Sequence, residues 1–172
     1  MNKGSDSAGT GPRRRGPAGD SAGRAAALDD SALQRLLGYN LAQASIATSR
    51  IFRRRVAPLG LTQVEFTVLM LLLTNAEVTQ GQLGRTLGAA PSNLTNLLTR
   101  LEGKGLIERS RSRRDARAQV IALSRRGEAL ARKAAAASEG MEEPLLKHLS
   151  TGERAMLAEL LLKVARLRNV HG

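Results

Sequence analysis

The sequence has no cysteine, no tryptophan and only two histidines among its 172 residues. Without cysteine the chain cannot carry a disulfide framework, a thiolate zinc site or a thiol-based oxidant sensor. Two histidines, one of them penultimate, argue against histidine-rich metal sites and against histidine-based catalysis. The sequence therefore predicts no metal and no cofactor.

Aromatic residues are also scarce, with one tyrosine and two phenylalanines, although 42% of the residues are hydrophobic. The core must therefore be aliphatic, built from Leu, Val, Ile and Ala. No stretch approaches the roughly 18 apolar residues of a membrane span. No apolar segment of a secretory signal follows the N-terminal arginines. We therefore expect a soluble cytoplasmic protein without a membrane segment.

Acidic residues are outnumbered, since 27 Lys and Arg stand against 15 Asp and Glu and give a net charge of +12. This excess favours a polyanionic partner, either nucleic acid or an anionic membrane surface. Residues 1–27 are rich in Gly, Ser, Ala and Pro without apolar periodicity, which predicts a disordered basic tail. Two interpretations of the tail stay open, a solvated segment or an arm that touches phosphate non-specifically.

From residue 28 onward the pattern is helical. Apolar residues three or four apart predict a helix over about 31–56, which ends before Pro58 and Gly60. A nearly all-apolar helix begins at Phe66 and is expected to be central to the core. Three further pairs have the spacing of a capping box: Thr62 with Glu65, Thr79 with Gln82 and Ser150 with Glu153.

The middle of the chain has the order helix, turn, helix, hairpin. Gly84 allows two short helices to approach, Gly88 suits the turn, and Pro91 suits the first position of the second helix. Residues 106–109 and 118–123 then read as two strands around the basic loop 110–117. This order predicts a helix-turn-helix followed by a wing, and a plain αα-hairpin is the alternative.

The helix that starts at Pro91 has two chemically different faces. Leucines recur on one side, while Ser92, Asn93, Asn96 and Arg100 fall on the other. Amide and hydroxyl groups on a helix can read base edges in the major groove, and a basic loop can reach the neighbouring minor groove or phosphates. The alternative is that the basic residues between Arg100 and Arg117 form an ordinary solvated face.

Several motifs together resemble the MarR family of bacterial regulators. They are the Leu61-Thr62 start of a helix, the run from Gly103 to Arg109, the Asp115-Ala116-Arg117 wing and the Leu123-to-Gly127 helix start. The resemblance implies a mainly α fold with a small β-hairpin wing. In that fold, residues 61–124 form the winged helix-turn-helix, and residues 28–57 and 125–172 form N- and C-terminal dimerisation helices.

The resemblance further implies a homodimer that binds a pseudo-palindromic operator in double-stranded DNA and represses its own or neighbouring genes. The apolar surface of the two terminal segments independently exceeds what a winged core needs. The residues that the resemblance places at DNA are Ser92, Asn93, Thr95, Asn96, Thr99, Arg100, Arg111, Arg113, Arg114, Asp115 and Arg117. Asp115 would shape the wing through a nearby arginine, although an ordinary surface ion pair is the alternative.

Family members usually respond to small aromatic or anionic effectors, bound between the dimerisation helices and the winged domain, and some have none. The candidate lining here is Tyr39, Phe52, Phe66 and Met70, with Arg50, Arg53 or Arg54 able to meet an anion. Phe52 and Phe66 could equally be core residues.

Three functions are open to a chain of this composition: a sequence-specific regulator, a non-specific architectural DNA binder and an enzyme. The motifs favour the first. The second would show strong salt dependence and little preference between duplexes. For the third, the sequence offers no nucleophile–base pair, metal cluster or phosphate loop, so we expect a protein that is not an enzyme.

Overall fold

The computed structural model describes residues 28–111 and 119–167, which are mostly helical. The helices are α1 (Leu37–Arg55), α2 (Gln63–Thr74), α3 (Gln80–Leu87), α4 (Pro91–Gly103), α5 (Arg125–Ser138), α6 (Glu143–Leu146) and α7 (Thr151–Arg166). The strands are β1 (Val78–Thr79), β2 (Ile107–Arg111) and β3 (Gln119–Leu123). The predicted fold class is confirmed, while the predicted tail, residues 1–27, lies outside the described residues.

The first long helix begins later than the sequence predicts. α1 starts at Leu37 rather than near Ser31, and a 3-10 turn, Leu33–Arg35, precedes it. Leu36 separates the two pieces because it is extended, with φ −93° and ψ 122°. The apolar spacing runs through both pieces, so periodicity alone merges them into one helix.

The sheet has three antiparallel strands, whereas the sequence predicts two. The strand order is β1-β3-β2, with Val78 opposite Ile121 and Thr79 opposite Val120. A strand of two residues is too short to show an alternating pattern, which explains why it was missed. β1 runs directly into α3, so it attaches the start of the helix-turn-helix to the sheet that carries the wing.

The aliphatic core is shared by the helices α1 to α5 and the sheet, with α2 packed against α5 and β3. Val68 and Leu69 of α2 are fully buried, and Leu98 and Leu101 of α4 are fully buried beside them. Burial of one such side chain contributes about 1.5–3 kcal/mol to folding. The expected central position of α2 is therefore confirmed.

The start of α5 packs closely against the turn between α4 and β2. The hydroxyl of Ser124 donates to the carbonyl of Gly105 at 2.7 Å and accepts from the Gly127 amide at 2.9 Å. A Cβ placed on Gly127 would lie 1.8 Å from the carbonyl oxygen of Leu106. Only glycine allows this approach, so the Gly127 position fixes how α5 meets the winged region.

Apolar side chains at both ends of the described chain face solvent. Within residues 28–46 and 151–167, here called the terminal segments, no side chain is buried. The exposed apolar residues of α7 are Met156, Leu157, Leu160, Leu161, Leu162 and Val164. A continuous apolar face of this kind marks an interaction surface. The assignment of residues 28–57 and 125–172 to dimerisation stays a prediction.

Candidate nucleic-acid interface

α4 presents its polar side chains to solvent over a fully packed apolar side. Leu94, Leu97, Leu98 and Leu101 are all buried, the most accessible at 5%. The six residues of α4 predicted to contact DNA are all exposed: Ser92, Asn93, Thr95, Asn96, Thr99 and Arg100. The leucines fix the rotation of the helix, so the amides, hydroxyls and guanidinium are held on one outward surface.

α3 and the turn after it hold α4 in place. The side chain of Thr79 accepts from the Gln82 amide, and the Gln82 side chain accepts from the Thr79 amide, as the capping-box spacing predicts. Gly88 ends α3 in the left-handed region with φ 61°. A Cβ on Gly84 would lie 3.4 Å from Leu94, so a small residue permits the close approach of the two helices.

Gln80 helps to hold α4 against α3, although no sequence pattern points to it. Its side-chain amide donates to the Thr95 hydroxyl at 2.9 Å, and that hydroxyl donates to the carbonyl of Pro91 at 2.9 Å. The two residues are fifteen positions apart, and no periodicity links them. The hydroxyl of Thr95 therefore connects α3 to α4 within the protein, while its predicted role at the phosphates stays a prediction.

The wing begins as an antiparallel ladder beside α4. Arg109 lies opposite Ile121 and Arg111 opposite Gln119, which places the exposed Arg111 at the far end of the strand pair. An ion pair of 3.2 Å between Arg109 and Glu102 ties β2 to the end of α4. The other predicted wing residues, Arg113, Arg114, Asp115 and Arg117, lie outside the described residues, so their roles stay predictions.

An ion pair between a buried carboxylate and an exposed lysine lies on the side of the interface nearest α2. Glu65 is 2% exposed, and its carboxylate accepts from the Lys104 ammonium at 2.8 Å. Burial alone would raise the pKa of Glu65, but hydrogen bonds from Lys104 and Thr62 outweigh it and hold the pKa below its ordinary value. The capping-box spacing predicted the Thr62 contact, whereas no sequence signal pointed to Lys104.

The four predicted effector residues do not form one cluster. Phe52 and Phe66 meet edge to face with ring centroids 5.6 Å apart, and Met70 packs against the same core. Tyr39 lies on α1 thirteen residues before Phe52, roughly 20 Å along the helix. Its hydroxyl donates to Asp30, which lowers the pKa of that carboxyl and raises the pKa of Tyr39.

An open groove of about 480 Å³ runs between α1 and the start of α2. Phe52 and Ile46 supply apolar lining, while Arg53 and Gln63 supply polar groups. The groove thus has one aromatic ring and one guanidinium among its lining residues. Phe52 belongs to both the core and this lining, so the two interpretations of it are compatible.

Residues 28–111 and 119–167 contain neither a metal-binding cluster nor a membrane-spanning helix. No three His, Asp or Glu side chains in these ranges are grouped so that they could hold a metal ion. None of the helices in the same ranges is long and apolar enough to cross a membrane. The exposed face of α4 with the adjoining wing strands is therefore the best-defined functional surface of the described chain.

Comparison with known proteins agrees with this geometry. The MarR family model matches residues 61–118. The multiple antibiotic resistance protein MarR of Escherichia coli (strain K12) is 30% identical over 116 residues, which cover 67% of this chain and 81% of that protein.

Two solved structures of the transcriptional repressor CouR extend the similarity to nearly their whole length. The structure of CouR bound to a 23-mer DNA duplex is 34% identical with a TM-score of 0.73, covering 81% of this chain and 99% of that one. The structure bound to p-coumaroyl-CoA is 33% identical with a TM-score of 0.72 and covers the same shares, 81% and 99%. The chain therefore belongs to the MarR family of winged helix-turn-helix transcriptional regulators.

Proposed function

We propose that the protein is a homodimeric, sequence-specific DNA-binding repressor that controls its own or neighbouring genes. The observation that carries the proposal is the division of α4 into a buried leucine side and an outward side of amides, hydroxyls and a guanidinium. A helix of this composition beside a basic wing fits the major groove and the adjoining backbone. The CouR structure with a bound duplex supports the same assignment.

The terminal segments supply the reason for a dimer. The apolar face of α7 has no cover within the described chain, and a second copy of the same face is its natural complement. A twofold axis between the copies would present two α4 helices to half-sites one helical turn apart, about 34 Å. The matching operator is a pseudo-palindrome.

The interface residues fall into two roles. Ser92, Asn93, Asn96 and Arg100 read base edges, because they occupy the outward face of α4. Phosphate contacts come from Thr99 and from the wing residues Arg111, Arg113, Arg114 and Arg117, with Asp115 shaping the wing. The predicted phosphate contact of Thr95 is not retained, because its hydroxyl proton is donated to the Pro91 carbonyl.

The groove between α1 and α2 is the proposed site of an effector. Its aromatic edge at Phe52 and its cation at Arg53 suit a small aromatic anion, and the p-coumaroyl-CoA complex of CouR supports an aromatic acid derivative. Phe66 and Met70 pack against the core that also holds Phe52, and Tyr39 lies roughly 20 Å from Phe52 along α1, so we do not assign these three predicted contacts to the groove. A ligand that fits the groove better in a dimer unable to span two half-sites would release DNA by shifting the population.

We propose that the protein acts by binding DNA and not by catalysis. We further propose that it acts in the cytoplasm, where its operator lies. The motifs and the family both belong to a regulator, so we propose that the protein is not an enzyme. The competing function is a non-specific architectural binder that relies on the net charge of +12.

Selection from a pool of random duplexes distinguishes the two. We expect the purified full chain to enrich one pseudo-palindromic motif and to bind it about a thousandfold more tightly than random DNA at moderate salt. The region upstream of its own coding sequence is expected to contain that motif. Recovery of no motif, with a steep salt dependence on every duplex, would establish the architectural function instead.

A matched pair of arginine substitutions tests the two roles. Arg100→Ala should cost about 1–3 kcal/mol on the selected duplex and relax the preference at one base pair in each half-site. Arg111→Ala should weaken selected and random duplexes alike and reduce the salt slope by about one. Titrations of both variants on both duplexes measure the effects, and equal losses for Arg100→Ala would exclude it as a base-reading residue.

A further inference from the structure

Glu65 stands out because it is charged and buried. Across residues 28–111 and 119–167 it is the one polar or charged residue whose side chain is buried, at 2% exposure. Its two carboxylate oxygens have separate partners. One oxygen accepts from the Thr62 backbone amide at 2.9 Å and from the Thr62 hydroxyl at 3.0 Å, and the other accepts from the Lys104 ammonium at 2.8 Å.

Helix capping alone does not account for this arrangement. The same capping box occurs at α7, where Ser150 and Glu153 make equivalent hydrogen bonds while both side chains stay exposed. The box at α3 uses the neutral Gln82, so a charge is not needed either. What Glu65 adds is a contact with a residue 39 positions away in sequence. Burying a charge costs free energy unless its partners are well placed, so the contact with Lys104 stabilises the buried carboxylate of Glu65.

Lys104 occupies the junction between α4 and the wing. It is the residue that ends α4, and the turn it opens passes through Gly105, with φ 65°, into β2. The α5 side of this turn is fixed by the Ser124 hydroxyl on the Gly105 carbonyl. Glu65 contacts the same turn from α2, through Lys104. The turn is therefore held by two contacts, and Arg100 lies one helical turn before it.

From this geometry we propose that Glu65 is a positioning residue for specific DNA recognition. Through Lys104 it sets the end of α4 and the base of the wing against α2. Reading a defined site requires α4 and the wing to be placed together, whereas non-specific binding requires only positive charge near phosphate. This assignment rests on the proposed function, because it assumes that α4 and the wing bind duplex DNA.

Glu65→Gln weakens the contact with Lys104 and keeps the helix cap. The amide oxygen of glutamine can still accept from Thr62, so the cap is retained while the pair with Lys104 loses its attraction. The substitution also removes one negative charge, which favours every duplex non-specifically. We expect affinity for the selected duplex to fall about tenfold, while affinity for random duplex stays the same or rises.

Glu153→Gln is the matched control, because it makes the same change in the exposed capping box of α7. We expect it to leave the ratio of specific to random affinity at the wild-type value. Thermal unfolding of each variant sets a temperature for the titrations at which every variant is folded. An unchanged ratio for Glu65→Gln under these conditions would overturn the proposal and leave Glu65 with a role in stability alone.

Substitutions at Lys104 give a second, independent test. Lys104→Arg keeps the cation and should retain most of the specificity ratio, whereas Lys104→Met should lose it as Glu65→Gln does. The double variant that combines Glu65→Gln with Lys104→Met should have the same specificity ratio as Lys104→Met alone, because both substitutions break the same contact. Equal weakening of both duplexes by Lys104→Met would mean a direct phosphate contact and overturn the proposal. Wild-type protein that prefers no duplex would instead overturn the proposed function.

Discussion

The winged core, α2 to β3, and the terminal segments use leucine in opposite ways. In α4, Leu94, Leu98 and Leu101 are at most 2% exposed, whereas Leu157 and Leu160 of α7 are 42% and 51% exposed. Both helices carry an amphipathic leucine stripe, so the pattern does not reveal whether a stripe is covered within the chain. The contrast shows that the leucines of the winged core are covered within the described chain, whereas those of the terminal segments are not.

The two regions also differ in their capping boxes. Glu65 in the winged core is buried and paired with a lysine that is distant in sequence. Glu153 at the start of α7 is exposed, and within the described chain the hydrogen bonds of its side chain are made with Ser150 alone. The same local motif is thus integrated into the tertiary structure in one region and stays local in the other.

The largest expected effect comes from breaking the winged core where it meets α5. Gly127→Ala should destabilise the fold by at least about 3 kcal/mol, because the added Cβ would lie 1.8 Å from the Leu106 carbonyl oxygen. Gly152→Ala in α7 is the control, since a Cβ there meets nothing within 4 Å and should stabilise by up to about 1 kcal/mol. Thermal unfolding compares them, and equal melting temperatures would contradict the close approach.

A pair of leucine truncations sharpens the contrast in burial. Leu98→Ala should cost about 2–5 kcal/mol at every protein concentration, because it leaves a cavity in the winged core. Leu160→Ala should cost little within one chain and instead weaken association, so the variant should match the wild type where both are monomers and melt at a lower temperature where the wild type is a dimer. Unfolding at several concentrations separates the two. A concentration-independent loss of several kcal/mol for Leu160→Ala would show that α7 packs within its own chain.

The smallest expected effect concerns acid stability. The folded pKa of Glu65 is below its ordinary value of 4.5, so the stability it contributes is present above that pH and is lost as pH falls through the folded pKa. Glu65→Gln should therefore flatten the decline in stability as pH falls below about 4.5. Glu153→Gln should change it less, since that side chain is exposed. Denaturant unfolding from pH 3 to pH 7 measures both, and identical profiles would contradict the distinction.

Much of the winged core could be predicted from sequence because its signals are local. These signals are the capping pairs, the turn glycines and the leucine stripe of α4. Each spans only a few residues, and in the structure each lies at its predicted position. The same locality explains the outward placement of Ser92, Asn93, Asn96 and Arg100, which follows once the leucines fix the rotation of the helix.

What could not be predicted depends on pairs distant in sequence. The contacts of Gln80 with Thr95 and of Glu65 with Lys104 join separate elements, and no period or motif connects their members. β1 was missed for the same reason, because its two residues become a strand only through pairing with β3. Residue type alone groups Tyr39 with Phe52, whereas the rise of α1 separates the two side chains by roughly 20 Å.

The most direct test of the account is the mass of the full chain, free and in complex with the selected duplex, measured by light scattering. The account predicts twice 18.3 kDa for the free protein and two chains on each duplex. Leu160→Lys should return the free mass to 18.3 kDa while the winged core stays folded. A monomer at all concentrations, binding one chain per duplex with full specificity, would contradict the claim that the terminal segments are completed by a second copy.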